Sequence, residues 1–197
     1  MHSKAGSKQA RAVSGLAADA LPGSKNTSAL PAREHLRQRY RPDRVKILFV
    51  GEAPPASGRF FYQEDSGLYR AVRDAFLVAF PSLPTIEFLD AFRASGCYLV
   101  DLCGEPVDQM PRSMRMDICR AGEARLARTI QEFRPMVIVT LVRSIRAIVS
   151  RSQAAAGWSG PHLELPYPGR WKRHRVEFQR QLVPVLSKTL SPSSHSS

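Results

Sequence analysis

Apolar residues fall along this chain in two rhythms that alternate. Short, nearly unbroken apolar runs stand at 45–50 (Val-Lys-Ile-Leu-Phe-Val), 97–102 and 136–141, and His-Leu-Glu-Leu at 162–165 is expected to add a short fourth strand. Runs of this length, rich in β-branched residues and bounded by Gly or Pro, read as strands buried on both faces. Between them the apolar positions recur every three or four residues. Leu68, Val72, Ala75, Phe76 and Ala79 predict a helix over 66–80. Ile86, Leu89 and Phe92 or Phe88 predict one over 85–94, and Ile118, Leu126 and Ile130 a single long helix over 117–133, ended ahead of Pro135. Shorter helices are expected over 32–40 and 144–150, and helical spacing over 176–186 is expected to break or end near Pro184.

Strands alternating with helices predict an α/β fold: three layers, α/β/α, around a short, mostly parallel four-stranded sheet. Right-handed crossovers limit its topology. In such sheets the ligand crevice lies beyond the carboxyl ends of the strands. The residues to inspect are therefore those after Val50, Val100, Val139 and Leu165.

Residues 1–31 are rich in Ser, Ala, Gly and Lys and show no apolar period, so a disordered basic tail is expected there. The tail loosely resembles an organelle transit peptide but lacks an amphipathic stripe, and it has no secretory apolar segment. The folded domain is expected over 32–190, with a second disordered tail over 191–197. No apolar run reaches the ~18–20 residues that span a bilayer. Three Cys are too few for a disulfide scaffold and read as reduced thiols of a cytoplasmic protein. The net charge is +12, and it is uneven. Residues 1–44 carry nine Lys/Arg against three acids, and residues 170–197 carry six against one, while the middle is nearly balanced. A neutral body with basic ends suits a polyanion, nucleic acid above all.

Candidate chemistry sits at the strand ends. After the first strand come Gly51-Glu52-Ala53-Pro54-Pro55 and then Gly58-Arg59-Phe60-Phe61-Tyr62. Glu52 reads either as a carboxylate that orients water or as a solvated loop acid. Phe61 and Tyr62 read either as a stacking surface for a planar base or as caps on the core. Arg170, Trp171, Lys172, Arg173 and Arg175 crowd into the start of the last helix, as phosphate ligands or as a solvated face anchored by Trp171. Cations at a helix amino terminus oppose its dipole, which tilts that choice toward an anionic partner. His162 and His174 have no metal-ligand spacing with any Cys, so no metal is expected.

The run ILFVGEAPPASGRFFY resembles the first motif of the uracil-DNA glycosylase superfamily, closest to its iron–sulfur branch with GEAPG and a GRPF-like segment. Residues 98–106, 136–141 and 165–169 are similar, more weakly, to the later motifs, in order. The resemblance implies a DNA N-glycosylase of base-excision repair that hydrolyses the bond to a deaminated base. It implies catalytic roles for Glu52, Asp101 and Tyr167, and a base site of Gly51, Ala53, Phe61 and Tyr62, with Phe61 stacking on the base. By the same likeness Arg170, Trp171, Lys172, Arg173 and Arg175 would hold DNA, single-stranded or damaged, and the protein would be a monomer. Four departures stand beside the matches. Pro55 replaces a Gly, Asp101 an Asn that reads the base, and Tyr167 a His. No Cys precedes Cys97, so Cys103 and Cys119 lack the early pair that completes the cluster, and no cofactor is expected. A relative that binds nucleic acid without catalysis is the alternative; an unrelated small-molecule enzyme with the same crevice is a third.

Overall fold

A strand with no polar face has to be covered on both sides and paired along both edges. The run Ile47–Gly51 is such a strand: each of its residues is buried. In the computed structural model, which describes residues 29–83, 87–169 and 171–191, it is the inner strand β1 (Ile47–Gly51) of a wholly parallel sheet. β2 (Cys97–Asp101) lies on one side of it, β3 (Val137–Thr140) on the other, and β4 (His162–Glu164) beyond β3, giving the order β2-β1-β3-β4. The register sets Gly51 beside Asp101 and Val50 beside Thr140, so the three strands end almost level. The chain leaves β1 toward one edge and returns across it to the other. The carboxyl ends of β1 and β3 therefore open the crevice where such folds take ligands.

Successive side chains of a strand point to opposite faces, which assigns the helices. The Phe49 ring lies 5.5 Å from Phe92 of α3 (Phe88–Ala94), and Phe92 lies 5.8 Å from Phe76 of α2 (Gly67–Ala79). α7 (Lys172–Leu190) packs along α2 on this side. On the other face Tyr98, in register with Leu48, meets Phe133 of α5 (Glu123–Phe133) edge-on at 5.6 Å, and α5 packs against α6 (Arg146–Ala155). α1 (Ala29–Arg39) rests on a short 3₁₀ turn at Phe61–Gln63, and α4 (Arg112–Ala121) leads into α5. The architecture is the three-layer α/β/α sandwich expected from the apolar pattern.

Three boundaries differ from expectation for physical reasons. The helix expected over 117–133 is two helices, α4 and α5, parted at Gly122. A Cβ there would lie 2.2 Å from the Leu102 carbonyl oxygen, so the chain crosses the loop after β2 where only glycine fits. Pro184 does not end the last helix; α7 runs through it, with Leu182 and Leu186 buried on either side. Burying those leucines outweighs the hydrogen bond that proline lacks. α1 begins at Ala29, inside the expected tail; residues 1–28 and 192–197 lie outside the described residues, as do residues 85 and 86 of the helix expected over 85–94. No helix among the described residues is long and apolar enough to cross a membrane.

The free edge of β2 is closed by a side chain. The Tyr62 hydroxyl accepts from the Leu99 N–H at 2.8 Å and donates to the Leu99 carbonyl at 3.1 Å. Tyr62→Phe should leave both backbone groups buried and unpaired, and urea unfolding should register a loss of about 1–3 kcal/mol. Burial also raises the phenols: Tyr62 well above its ordinary value, Tyr69 and Tyr98 to about 12. The native state thus keeps protons that the unfolded chain loses near pH 10. Their contribution to stability is fully present below that pH and is lost as pH rises through the native values. Urea midpoints should fall steadily from pH 10 upward, and phenolate absorbance of these residues should emerge together with unfolding.

Candidate functional site

The loop after β1 begins at Gly51. Only glycine fits there, because Asp101 ends the neighbouring strand. A Cβ on residue 51 would stand 2.3 Å from Asp101 Oδ1, so a side chain there would displace the carboxylate. Asp101 is itself buried, at 8% exposure, and its other oxygen accepts from Arg37 Nη2 of α1 at 3.0 Å. Burial raises the Asp101 carboxyl above its ordinary value, and the guanidinium of Arg37 opposes that rise. Arg125 of α5 donates to the carbonyls of Asp101 and Leu102, both at 2.8 Å, and so fixes the strand end from behind.

Beyond these strand ends lies a cavity of about 250 Å³. Gly51, Glu52, Ala53, Pro54 and Pro55 line one side, Asp101, Val107, Asp108 and Arg115 another, and Leu68, Leu141, Val142 and Tyr167 the rest. Three expected catalytic residues, Glu52, Asp101 and Tyr167, therefore meet at one cavity, together with Gly51 and Ala53 from the expected base site. The Glu52 backbone carbonyl accepts from the Cys103 N–H at 2.8 Å, which ties the loop to the segment after β2. The Glu52 side chain is nearly buried, and both of its oxygens are bonded by Arg115, through Nε and Nη2. That bond holds the Arg115 guanidinium above its ordinary value. Cys119, one helical turn further along α4, sets its Sγ 3.8 Å from Glu52 Oε1 and 3.4 Å from Cys103 Sγ. Burial pushes both of those thiols up, so they stay protonated.

Phe61 and Tyr62 are not part of this cavity, which corrects the expectation that Phe61 stacks on a ligand. Phe61 is 3% exposed and is enclosed by Tyr62, Tyr69 and Phe92, at ring separations of 5.1, 5.9 and 5.2 Å. Tyr62 is stacked on Tyr40 and closes the edge of β2. The aromatic cluster between α2, α3 and the sheet takes both rings, and the aromatic that does line the cavity is Tyr167. Burial of its phenol raises it above its ordinary value, so it remains a neutral donor.

A shallower groove shares Pro55 and Tyr167 with the cavity and continues past Ser57, Arg59, Ser66, Gly67 and Arg70. A further hollow beside it adds Arg175 to Gly67 and Arg70. Of the expected phosphate ligands, Arg175 thus reaches this surface. Lys172 and Arg173 are exposed on the first turn of α7, which holds no acid, and Arg173 lies over the Trp171 ring at 6.0 Å. Arg170 lies outside the described residues. Arg115, Asp108, Arg59 and Arg70 were not singled out from the sequence. Arg115 had a signal available, its four-residue spacing from Cys119, but the expected helix began at residue 117 and left it in a loop. Among the described residues no group of three or more His, Cys, Asp or Glu is placed to hold a metal ion. His162 instead shares a 2.7 Å hydrogen bond with Thr140 on the outer strand pair.

No family model matches this chain, and no curated protein matches it.

The close approach of Gly51 to Asp101 makes a sharp prediction. Gly51→Ala should cost about 1–3 kcal/mol by overpacking. In an Asp101→Ala background most of that cost should vanish, because the clashing atom is gone. A double-mutant cycle in urea, read as strong non-additivity between the two positions, is the check.

Proposed function

We propose that this chain acts on nucleic acid as a DNA N-glycosylase of the uracil-DNA glycosylase type, drawing one extruded base into the cavity beyond β1 and β3. The observation that carries the reading is the continuity of the cavity with the groove of Arg59 and Arg70, which brings a base-sized hollow against a cationic track. The hollow falls just below the ~300–1,000 Å³ usual for drug-sized ligands, so it suits a single ring system rather than a dinucleotide. The track would hold phosphates on either side of the extruded nucleotide, and Arg175 with the exposed Lys172 and Arg173 would extend that hold. A monomer in the cytoplasm belongs to this reading.

The chemistry is hydrolysis. A water held by the Glu52 carboxylate adds to the anomeric carbon of the sugar, and the N-glycosidic bond breaks with its electron pair leaving on the base. The attacking water gives its proton to Glu52, and that proton is the one the departing base finally takes up. Tyr167, neutral at physiological pH, supplies a hydrogen bond to the departing ring rather than a positive charge. Glu52 also favours the oxocarbenium character of the sugar through its negative charge.

A second reading has its own observation. Arg115 bonds both oxygens of Glu52, which offsets the charge and occupies the lone pairs best placed to hold water. This favours a protein that binds an extruded base and does not cleave it.

One experiment separates the two. Single- and double-stranded oligonucleotides carrying uracil, hypoxanthine, xanthine or an N7-alkylated guanine are incubated with the protein, and abasic products are cleaved with alkali. Under the glycosylase reading excision is seen and falls by about 10²-fold or more in Glu52→Gln. Tight binding that weakens steeply with salt, without excision, selects the binding reading. Affinity that is absent, or that ignores salt, rejects both.

A further inference from the structure

The side-chain atoms that the cavity leaves unengaged are mostly acceptors. Asp101 gives one oxygen to Arg37 and holds the other over Gly51, on the cavity side. Asp108 accepts from the Ala56 N–H at 3.0 Å through one oxygen, and its second oxygen remains. Pro54 and Pro55 line the loop without an N–H, and the Pro55 carbonyl already accepts from the Gly58 N–H. Side-chain donors are few. Arg115 spends two of its nitrogens on Glu52, and Tyr167 offers one hydroxyl. A ligand edge that presents carbonyls would face carboxylate oxygens here, whereas an edge that presents N–H groups would be bonded by them.

From this inventory we infer that the cavity selects a nucleobase with an exocyclic NH₂ over its oxo counterpart, with Asp101 as the selecting residue. The inference rests on the reading that an extruded base enters this cavity, and it narrows that reading. It turns the expected preference for a deaminated base around, because deamination replaces the two N–H donors of the amino group by a carbonyl acceptor and leaves one donor, the ring N–H beside it. Among damaged bases it favours rings that keep the amino group, including alkylated purines, whose positive charge the two carboxylates would also attract. Arg37 does not cancel the effect. It bonds one oxygen of Asp101, is not among the residues that line the cavity, and leaves the other oxygen without a hydrogen-bond donor.

The test uses pairs of bases that differ only at that group. Single-stranded dT oligonucleotides carry one central adenine or hypoxanthine, or one central cytosine or uracil, and affinities for the full chain are measured at fixed salt. The amino member of each pair should bind about tenfold or more tightly, the scale of one hydrogen bond to a charged group. Asp101→Asn gives the site an amide donor, so the preference should shrink or invert toward the oxo member. Asp108→Asn changes an exposed residue and serves where Asp101→Asn does not fold; it should move the preference the same way by a smaller factor. An equal or greater affinity of the wild-type chain for uracil and hypoxanthine overturns the inference and leaves the nucleic-acid reading standing. Salt-sensitive binding with no dependence on the central base overturns the inference together with base entry. No binding to any oligonucleotide overturns the proposed function itself, and the inference falls with it.

Discussion

The carboxylate of Asp101 is the contact on which the rest of this arrangement turns. It lies over Gly51 too closely for any side chain to intervene, and it bonds Arg37 across to α1. From that one placement three things follow. Residue 51 has to be glycine, because a Cβ there would meet the carboxylate. α1, which packs on the 3₁₀ turn at Phe61–Gln63, is fastened to the sheet by a buried ion pair, and removing one partner of such a pair typically costs ~3–5 kcal/mol. One carboxylate oxygen is left facing the cavity. Structure and recognition at this edge are thus one interaction seen from two sides.

β1, β2 and β3 were legible in the sequence because a parallel strand buried on both faces has no polar register to hide it. The half-buried β4 carries no such run. All four strands fall where expected, with ends shifted by one or two residues. The converging strand ends pointed to the region of Glu52, Asp101 and Tyr167, and the family resemblance picked Asp101 and Tyr167 out of it. The place of Phe61 and Tyr62 was not legible, because an aromatic pair after a loop looks the same whether it stacks on a ligand or packs inward. What decides is Tyr40, Tyr69 and Phe92, which are distant in the chain and come together only once α2 and α3 are laid on the sheet. The break at Gly122 was hidden likewise, since its cause is the carbonyl of Leu102, a contact between segments rather than a local preference.

The basic excess also means something narrower than its total. Many arginines are engaged within the fold. Arg37 bonds Asp101 and Glu34, Arg125 bonds two carbonyls at the end of β2, and Arg41, Arg143 and Arg151 are paired with Glu132, Glu177 and Glu123. Exposed pairs of that kind add little stability but do consume charge that composition counts as available. Arg59, Arg70 and Arg175 make no ion pair among the described residues, and all three border the hollows beside Tyr167. The cationic surface relevant to a polyanion is therefore a track beside the cavity. It begins at the loop after β1 rather than only at the basic stretch that opens α7.

The interior of the cavity has the opposite sign, and the thiols explain why Glu52 is not its source. Cys103 and Cys119 stay protonated because they are buried, so beside Glu52 they are small neutral groups rather than competing anions. Arg115, on the same face of α4 as Cys119, then meets Glu52 alone and matches its charge atom for atom. A ligand entering from the track meets Glu52 already matched and Asp101 with an oxygen to spare. Under the proposed reading, discrimination between rings falls to the end of β2 while the loop after β1 supplies shape, and a hydrolytic role for Glu52 requires Arg115 to loosen as the ligand arrives.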